Sequence, residues 1–191
     1  MKLTLYRADC SGDAKNCVYP HQAAIQNPKA LATASDVDHV FANYLSIYRN
    51  IDNFMESEVV PMDCDNDHSE DPKDWYSADA LEEIFADVDH IILPSRHNML
   101  PKNGRAARPR HHILFPIAVC RDAAMYTAVK SAVQKKYAFF DDNALDAARF
   151  FFGAACTADD IIWHEGFLSI DETLDDADDL EEEVDASRQQ M

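Results

Sequence analysis

The chain has 191 residues, 47% of them hydrophobic and 10% aromatic, which suits one globular domain with its own core. Four glycines against eight prolines exclude a low-complexity chain. No apolar run approaches the ~18 residues of a membrane span, and the N-terminus lacks a signal-peptide layout, so no membrane partner is expected. Five scattered cysteines, an odd number, argue against a disulfide framework and point to a reducing cytoplasm. The net charge of −18 is uneven: ten acids lie between Asp171 and Asp185, and Arg188 is the one base of that tail. Such a composition reads as a solvated, disordered segment. The expected organisation is a catalytic domain over residues 1–170 and an acidic tail over 171–191.

In chain order, Leu3-Thr4-Leu5-Tyr6 opens as a strand. Residues 33–50 carry the clearest helical period, with Ser35 and Asp38 as a cap and Val37, Val40, Phe41, Tyr44, Leu45 and Tyr48 on one face. A strand through Val59-Val60-Pro61-Met62 runs into Asp63, and an acidic loop follows to Trp75. Ser77 starts a short helix with Leu81, Ile84 and Phe85 inward. Residues 88–93 form a strand, and Pro101-Lys102-Asn103-Gly104 a turn. Residues 111–118 return as a strand, and Asp122 caps a helix bearing Tyr126, Val129 and Val133. Residues 149–152 read as another strand, and 161–170 as a terminal hairpin around His164-Glu165-Gly166. Strands and helices mix without strict alternation, so the expected fold class is α+β.

Three segments carry chemistry. Asp63 and Asp65 stand two apart at a strand end, so both carboxylates leave one side of the pleat. Two hard oxygen donors there make a seat for Mg²⁺ or Mn²⁺. The same loop also mimics a calcium-binding EF-hand, but His68 stands where that loop needs glycine, and a solvated acidic turn is the bland reading. Ser95 to His112 holds Arg96, Lys102, Arg105, Arg108 and Arg110 with no acid, which suits phosphate oxygens. Of His111 and His112, alternation lets only one reach a ligand. After Phe139-Phe140, Asp141 or Asp142 can project a third carboxylate; the same pair also reads as a helix cap. Asp146 and Arg149 are spaced to meet on a helical turn.

In this order the segments resemble the archaeo-eukaryotic primase superfamily, most nearly the primase-polymerase domains of phage and conjugative-element primase-helicases. The likeness rests on Val60-Pro61-Met62-Asp63-Cys64-Asp65, on Arg108-Pro109-Arg110-His111-His112-Ile113-Leu114-Phe115-Pro116, and on Phe140-Asp141-Asp142. Asp67-His68-Ser69 and residues 144–150 add to it, and the match covers roughly residues 35–155. An Arg-Pro-Arg loop stands where the superfamily commonly has a Ser-Gly-rich turn. The resemblance implies an RRM-like antiparallel-rich sheet packed against a second α/β layer with the site between them. It implies template-directed nucleotidyl transfer with two Mg²⁺ or Mn²⁺ ions held by Asp63, Asp65 and Asp141 or Asp142. His112, Arg108 and Arg110 would contact the incoming nucleoside triphosphate, with Lys102, Arg105 and Arg149 completing the nucleotide-binding set. Single-stranded DNA would be the template, and a helicase domain or partner would help grip it. Two other readings stand beside this one: a DxD nucleotide-sugar glycosyltransferase, which needs a Rossmann-like parallel half-sheet, and a non-enzymatic acidic Ca²⁺-binding or DNA-mimic protein.

Overall fold

The computed structural model describes residues 1–143, 145–174 and 188. Most of the expected acidic tail, and Ala144, lie outside the described residues. Residues 171–174, placed in that tail by composition, begin with a 3-10 turn over Asp171–Thr173, and Leu174 packs on the core.

Two antiparallel sheets organise the chain. The smaller takes β1 (Leu3–Arg7), β2 (His21–Ile25) and β3 (His39–Val40) in the order β2-β1-β3. The larger takes β4 (Ala42–Tyr44), β5 (Phe54–Cys64), β6 (His90–Pro94), β7 (His111–Cys120) and β8 (Ile162–His164) in the order β4-β5-β7-β6-β8. Every pairing between these strands is antiparallel. The mixed α+β class therefore stands.

Strand alternation divides the larger sheet into two apolar faces. Val60 and Met62 of β5, Ile113 and Phe115 of β7, and Ile92 of β6 face α2 (Ala78–Ile84) and α3 (Ala123–Lys136). Val59, Leu114, Ile91 and Leu93 face the smaller sheet and α1 (Pro28–Ala34). Asp63 continues the second series, and its register partner is His112. Both side chains thus emerge between the two sheets. Pro61 lacks an N–H, yet β5 tolerates it because β4 pairs only with residues 54–57, leaving that edge of the strand open higher up.

Several local signals act as expected. The Ser77 side chain caps α2 through Ala80 N, and Asp122 caps α3 through Ala124 N and Met125 N. Asn103 and Gly104, with φ of 52° and 77°, form the turn that carries Lys102 against Arg105. Ile84 is 42% exposed rather than inward, because α2 ends there and Phe85 takes the core position.

The helix expected over 33–50 is absent. The helix of that region is α1, entered by the Asn27 cap with Pro28 in its first turn, and β3, β4 and a 3-10 turn occupy residues 39–47. Asp38 is the physical reason. It is fully buried, and its carboxylate accepts from the backbone N–H groups of Gly12, Asp13 and Gly153, joining three distant segments instead of capping a helix. The apolar spacing that suggested a helical face serves short extended segments equally well. Residues 149–152 form one bridge, His39 to Phe151, in place of a strand. Nor do residues 161–170 close a hairpin: β8 pairs with β6, and Leu168 bridges Val88 in parallel. Gly166 sits so close to the Asp87 and Val88 backbone that a side chain there would collide.

Candidate active site

The last residues of β5 build the site floor. Asp63 and Asp65 point to the same side, and Cys64 turns into the opposite core. Beyond Asp65 the chain bends at Asn66, buried with φ of 54°, a left-handed conformation that asparagine tolerates. The Asn66 amide donates to the carbonyls of Tyr76 and Pro109 at 3.0 and 2.8 Å, and its oxygen accepts from Tyr76 N at 2.8 Å. The third carboxylate arrives from the other side of the sheet. Phe139 and Phe140 pack into the aromatic cluster around Phe85, and the next residue, Asp141, donates its N–H to Asp63 O at 2.9 Å. Asp141 faces the cavity; Asp142 is exposed and does not line it.

These groups line a cavity of about 560 Å³, with Asp63, Asp65, Asp67 and Asp141 at its acidic end. His112 Nε2 stands 3.4 Å from Asp63 Oδ1, and its ring meets Phe151 edge-on with centroids 4.8 Å apart. Arg149 Nη2 bonds Asp63 Oδ2, and Lys102 Nζ bonds Asp65 Oδ2. Burial holds the His112 imidazole below the ordinary histidine range, with Asp63 pulling the other way, so the ring is largely neutral at pH 7. His111 faces away from the cavity, and burial lowers it to about 4. Asp141 is pushed up to about 7, first by burial and then by the charges of Asp65, Asp63 and Asp67.

That upward shift has a consequence for the metal-free protein. A carboxyl whose folded value lies above its unfolded value binds more protons when folded, so its contribution to stability falls as pH rises from about 4 to about 7. Asp141→Asn is therefore expected to raise the melting temperature in EDTA at pH 8, with the gain shrinking toward zero near pH 4. Thermal melts across that range check it; an unchanged or lowered melting temperature at pH 8 contradicts the repulsion.

The basic loop is divided in use. Lys102 reaches the cavity, but Arg105, Arg108 and Arg110 do not line it. Arg108 and Arg110 are both fully buried. Arg108 donates to the carbonyls of Asn66 and Ser69 at 2.9 and 3.0 Å and to Glu70 at 2.6 Å, with Trp75 against its guanidinium. Arg110 donates to Asp65 O at 3.0 Å and pairs with Asp65 Oδ2 at 3.2 Å and Asp67 Oδ1 at 3.0 Å. Arg105 holds Asp67 O and Glu70 at 2.7 and 2.9 Å. Their forks thus brace the loop behind Asp65, the bidentate use that a buried guanidinium suits best. The same contacts occupy Asp67 and Glu70, which a calcium loop would need. The cavity is also lined by Phe152, His97 and Asn143, which sequence reading did not single out, and by Phe150. Three phenylalanines in a row were visible there, but alternation alone does not tell which rings leave the core.

A divalent ion is a test of this donor set. The set is all hard oxygen, and Asp63 Oδ1 is buried without a hydrogen-bond partner among the described residues, so it is available as a ligand. The repulsion felt by Asp141 is what a cation would relieve. As placed, no three such side chains among the described residues stand close enough to grip one ion, since Asp63 and Asp65 each lean on a cation. The hard-oxygen chemistry of the donor set fits a divalent ion, which Asp63, Asp65 and Asp141 would hold.

Among the described residues no helix is long and apolar enough to cross a membrane. No family model matches the chain, and no curated protein matches it. Among solved structures it is similar to the AEP domain of the primase-polymerase (PrimPol) of cyanophage S-2L, with a TM-score of 0.48 and 12% identity over 90% of this chain and 86% of that one.

Proposed function

We propose that the chain is a template-directed nucleotidyltransferase of the primase-polymerase kind. It would add nucleotides to a 3′-hydroxyl on single-stranded DNA with Mg²⁺ or Mn²⁺. One observation carries this reading: Asp63, Asp65 and Asp141, far apart in sequence, line one cavity with His112, Lys102 and Arg149. Those three aspartates would hold the metals, which when bound supply activation of the attacking hydroxyl and neutralisation of the departing pyrophosphate. Asp141 takes the third position rather than Asp142.

The protein groups position charge. Neutral His112, packed on Phe151, donates its ring N–H to a phosphate oxygen without adding a competing cation. Arg149, whose guanidinium lies 5.4 Å from the Phe151 ring centroid, orients Asp63; Lys102, on its tight turn, orients Asp65. When a triphosphate enters, both cations are near enough to the acids to transfer part of their bonding to it. Arg105, Arg108 and Arg110 support the loop instead of touching substrate. A helicase domain or partner would supply the grip on DNA that so acidic a chain lacks. Five free cysteines suit work in a reducing cytoplasm.

The antiparallel large sheet argues against the parallel half-sheet expected of a nucleotide-sugar glycosyltransferase. The test is incubation with labelled deoxy- or ribonucleotides, Mn²⁺ or Mg²⁺, and a single-stranded template with and without a primer. Products lengthening one nucleotide at a time are expected. Absence of incorporation with every nucleotide and metal, or sugar transfer from a nucleotide sugar instead, overturns the proposal.

A further inference from the structure

In a chain with 35 acids, a cavity-lining arginine without an acid beside it is unusual. Three cations line the cavity: Arg96, Lys102 and Arg149. Lys102 is taken by Asp65 and Arg149 by Asp63. Arg96 makes no ion pair with a carboxylate among the described residues, so its charge is the uncompensated one on that wall. It is nonetheless held in place. Its guanidinium carbon lies 4.0 Å from the centroid of the Phe152 ring. On another side is Gly12, where a Cβ atom would come within 3.1 Å of the Arg96 Nη1 atom; φ of +80° at Gly12 favours glycine there.

Phe152 belongs to a longer stack. Its ring meets Phe150 edge-on at 4.9 Å, and Arg49 lies 4.7 Å from the centroid of Phe150. Arg49 is anchored at the carbonyls of Ala148 and Asn16, at 2.9 and 3.1 Å. The order Arg49, Phe150, Phe152, Arg96 therefore runs from a fixed guanidinium to one with open donors at the cavity wall. A ring face holds a guanidinium by its plane and leaves the N–H edges free, which presents a fork to an incoming anion.

We infer that Arg96, held by Phe152 and Gly12, is a substrate-binding residue that receives a phosphate group of the nucleotide in the cavity it shares with the acids. The inference rests on the nucleotidyltransferase reading and deepens it. The charge argument decides between Arg96 and its neighbours in sequence. A triphosphate approaching four aspartates needs a cation that is not already neutralised, and Arg108 and Arg110 are both neutralised and buried. A phosphodiester of the nucleic acid strand carries the same chemistry, so the experiment must separate the two sources.

Titration calorimetry of the full chain with Mg²⁺ compares wild type, Arg96→Gln, Arg96→Lys and Phe152→Leu. The ligands are a deoxynucleoside triphosphate, inorganic tripolyphosphate and a single-stranded oligonucleotide. Loss of one charge-assisted fork predicts that Arg96→Gln weakens both triphosphates about tenfold or more, with the oligonucleotide unchanged. Arg96→Lys should recover part of the loss, and Phe152→Leu should lose less than Arg96→Gln. A loss confined to the oligonucleotide keeps Arg96 as a phosphate site but overturns the nucleotide as its source. Equal affinities for all three ligands in wild type and Arg96→Gln overturn the inference and leave the nucleotidyltransferase reading standing. A wild-type chain that binds none of the three overturns both.

Discussion

Exchanging Asp63 and Asp65 together for asparagine will lower nucleotide incorporation by at least about a thousandfold, the order expected when the ligands of a catalytic metal are neutralised. Asparagine keeps the shape of each side chain, so the loss reports charge and not packing. Asp63 is the more informative single change. Its Oδ1 atom is buried with no hydrogen bond among the described residues, 3.4 Å from His112 Nε2, while Oδ2 is bonded by Arg149. Asp63→Asn removes the carboxylate charge while leaving an amide oxygen that can still accept from Arg149. Asp65→Asn alone also leaves Lys102 and Arg110 short of a partner, so its effect mixes chemistry with support. Circular dichroism and a melting curve on each variant separate the two. His112→Ala should act differently, raising the nucleotide KM more than it lowers kcat, because the ring binds phosphate and holds no metal in this reading. Incorporation by the double variant within threefold of wild type would remove the aspartates from the chemistry.

The parts of this site visible in the sequence are those fixed by local rules. Asp63 and Asp65 follow from a strand's period of two, and the pairing of β5 with β7 then sets His112 opposite Asp63. The caps at Ser77 and Asp122 and the Asn103-Gly104 turn are similarly local. What failed to show depends on contacts between distant segments. Asp38 reads as a cap until Gly12, Asp13 and Gly153 are seen to donate to it. Composition groups Arg96 with Arg105, Arg108 and Arg110, but whether an arginine meets a loop carbonyl or an open cavity depends on how residues 65–70 fold back. Asp141 and Asp142 are equivalent as letters. The burial of Phe140 and the hydrogen bond from Asp141 N to Asp63 O distinguish them, and neither has a sequence period. The outline of the floor was thus legible, and the division of the basic loop was not.

That division predicts opposite phenotypes for two arginines fourteen residues apart. Arg110→Met keeps the aliphatic stem and removes the guanidinium from a fully buried position. It leaves Asp65 O without its donor and removes a guanidinium that pairs with both Asp65 and Asp67, so that Arg108, 3.6 Å from Asp67 Oδ1, and Lys102, on Asp65 Oδ2, are left to offset their repulsion with Asp141. Breaking a buried pair from one side costs about 3 kcal/mol, toward the low end because the Asp67 side chain is 34% exposed and partly rehydrates. Urea unfolding should show the midpoint falling with the slope unchanged. Arg96→Met, at an exposed position with no ion pair among the described residues, should shift stability by less than about 0.5 kcal/mol. A stable Arg110→Met protein that binds triphosphate poorly would mean that Arg110 turns toward the cavity and reaches phosphate. A destabilised one that still binds triphosphate at low temperature would mean that the Arg-Pro-Arg segment shapes the site from behind. In that arrangement the loop's arginines keep the carboxylates of the floor close together against their own repulsion, and only then can those carboxylates share a divalent ion.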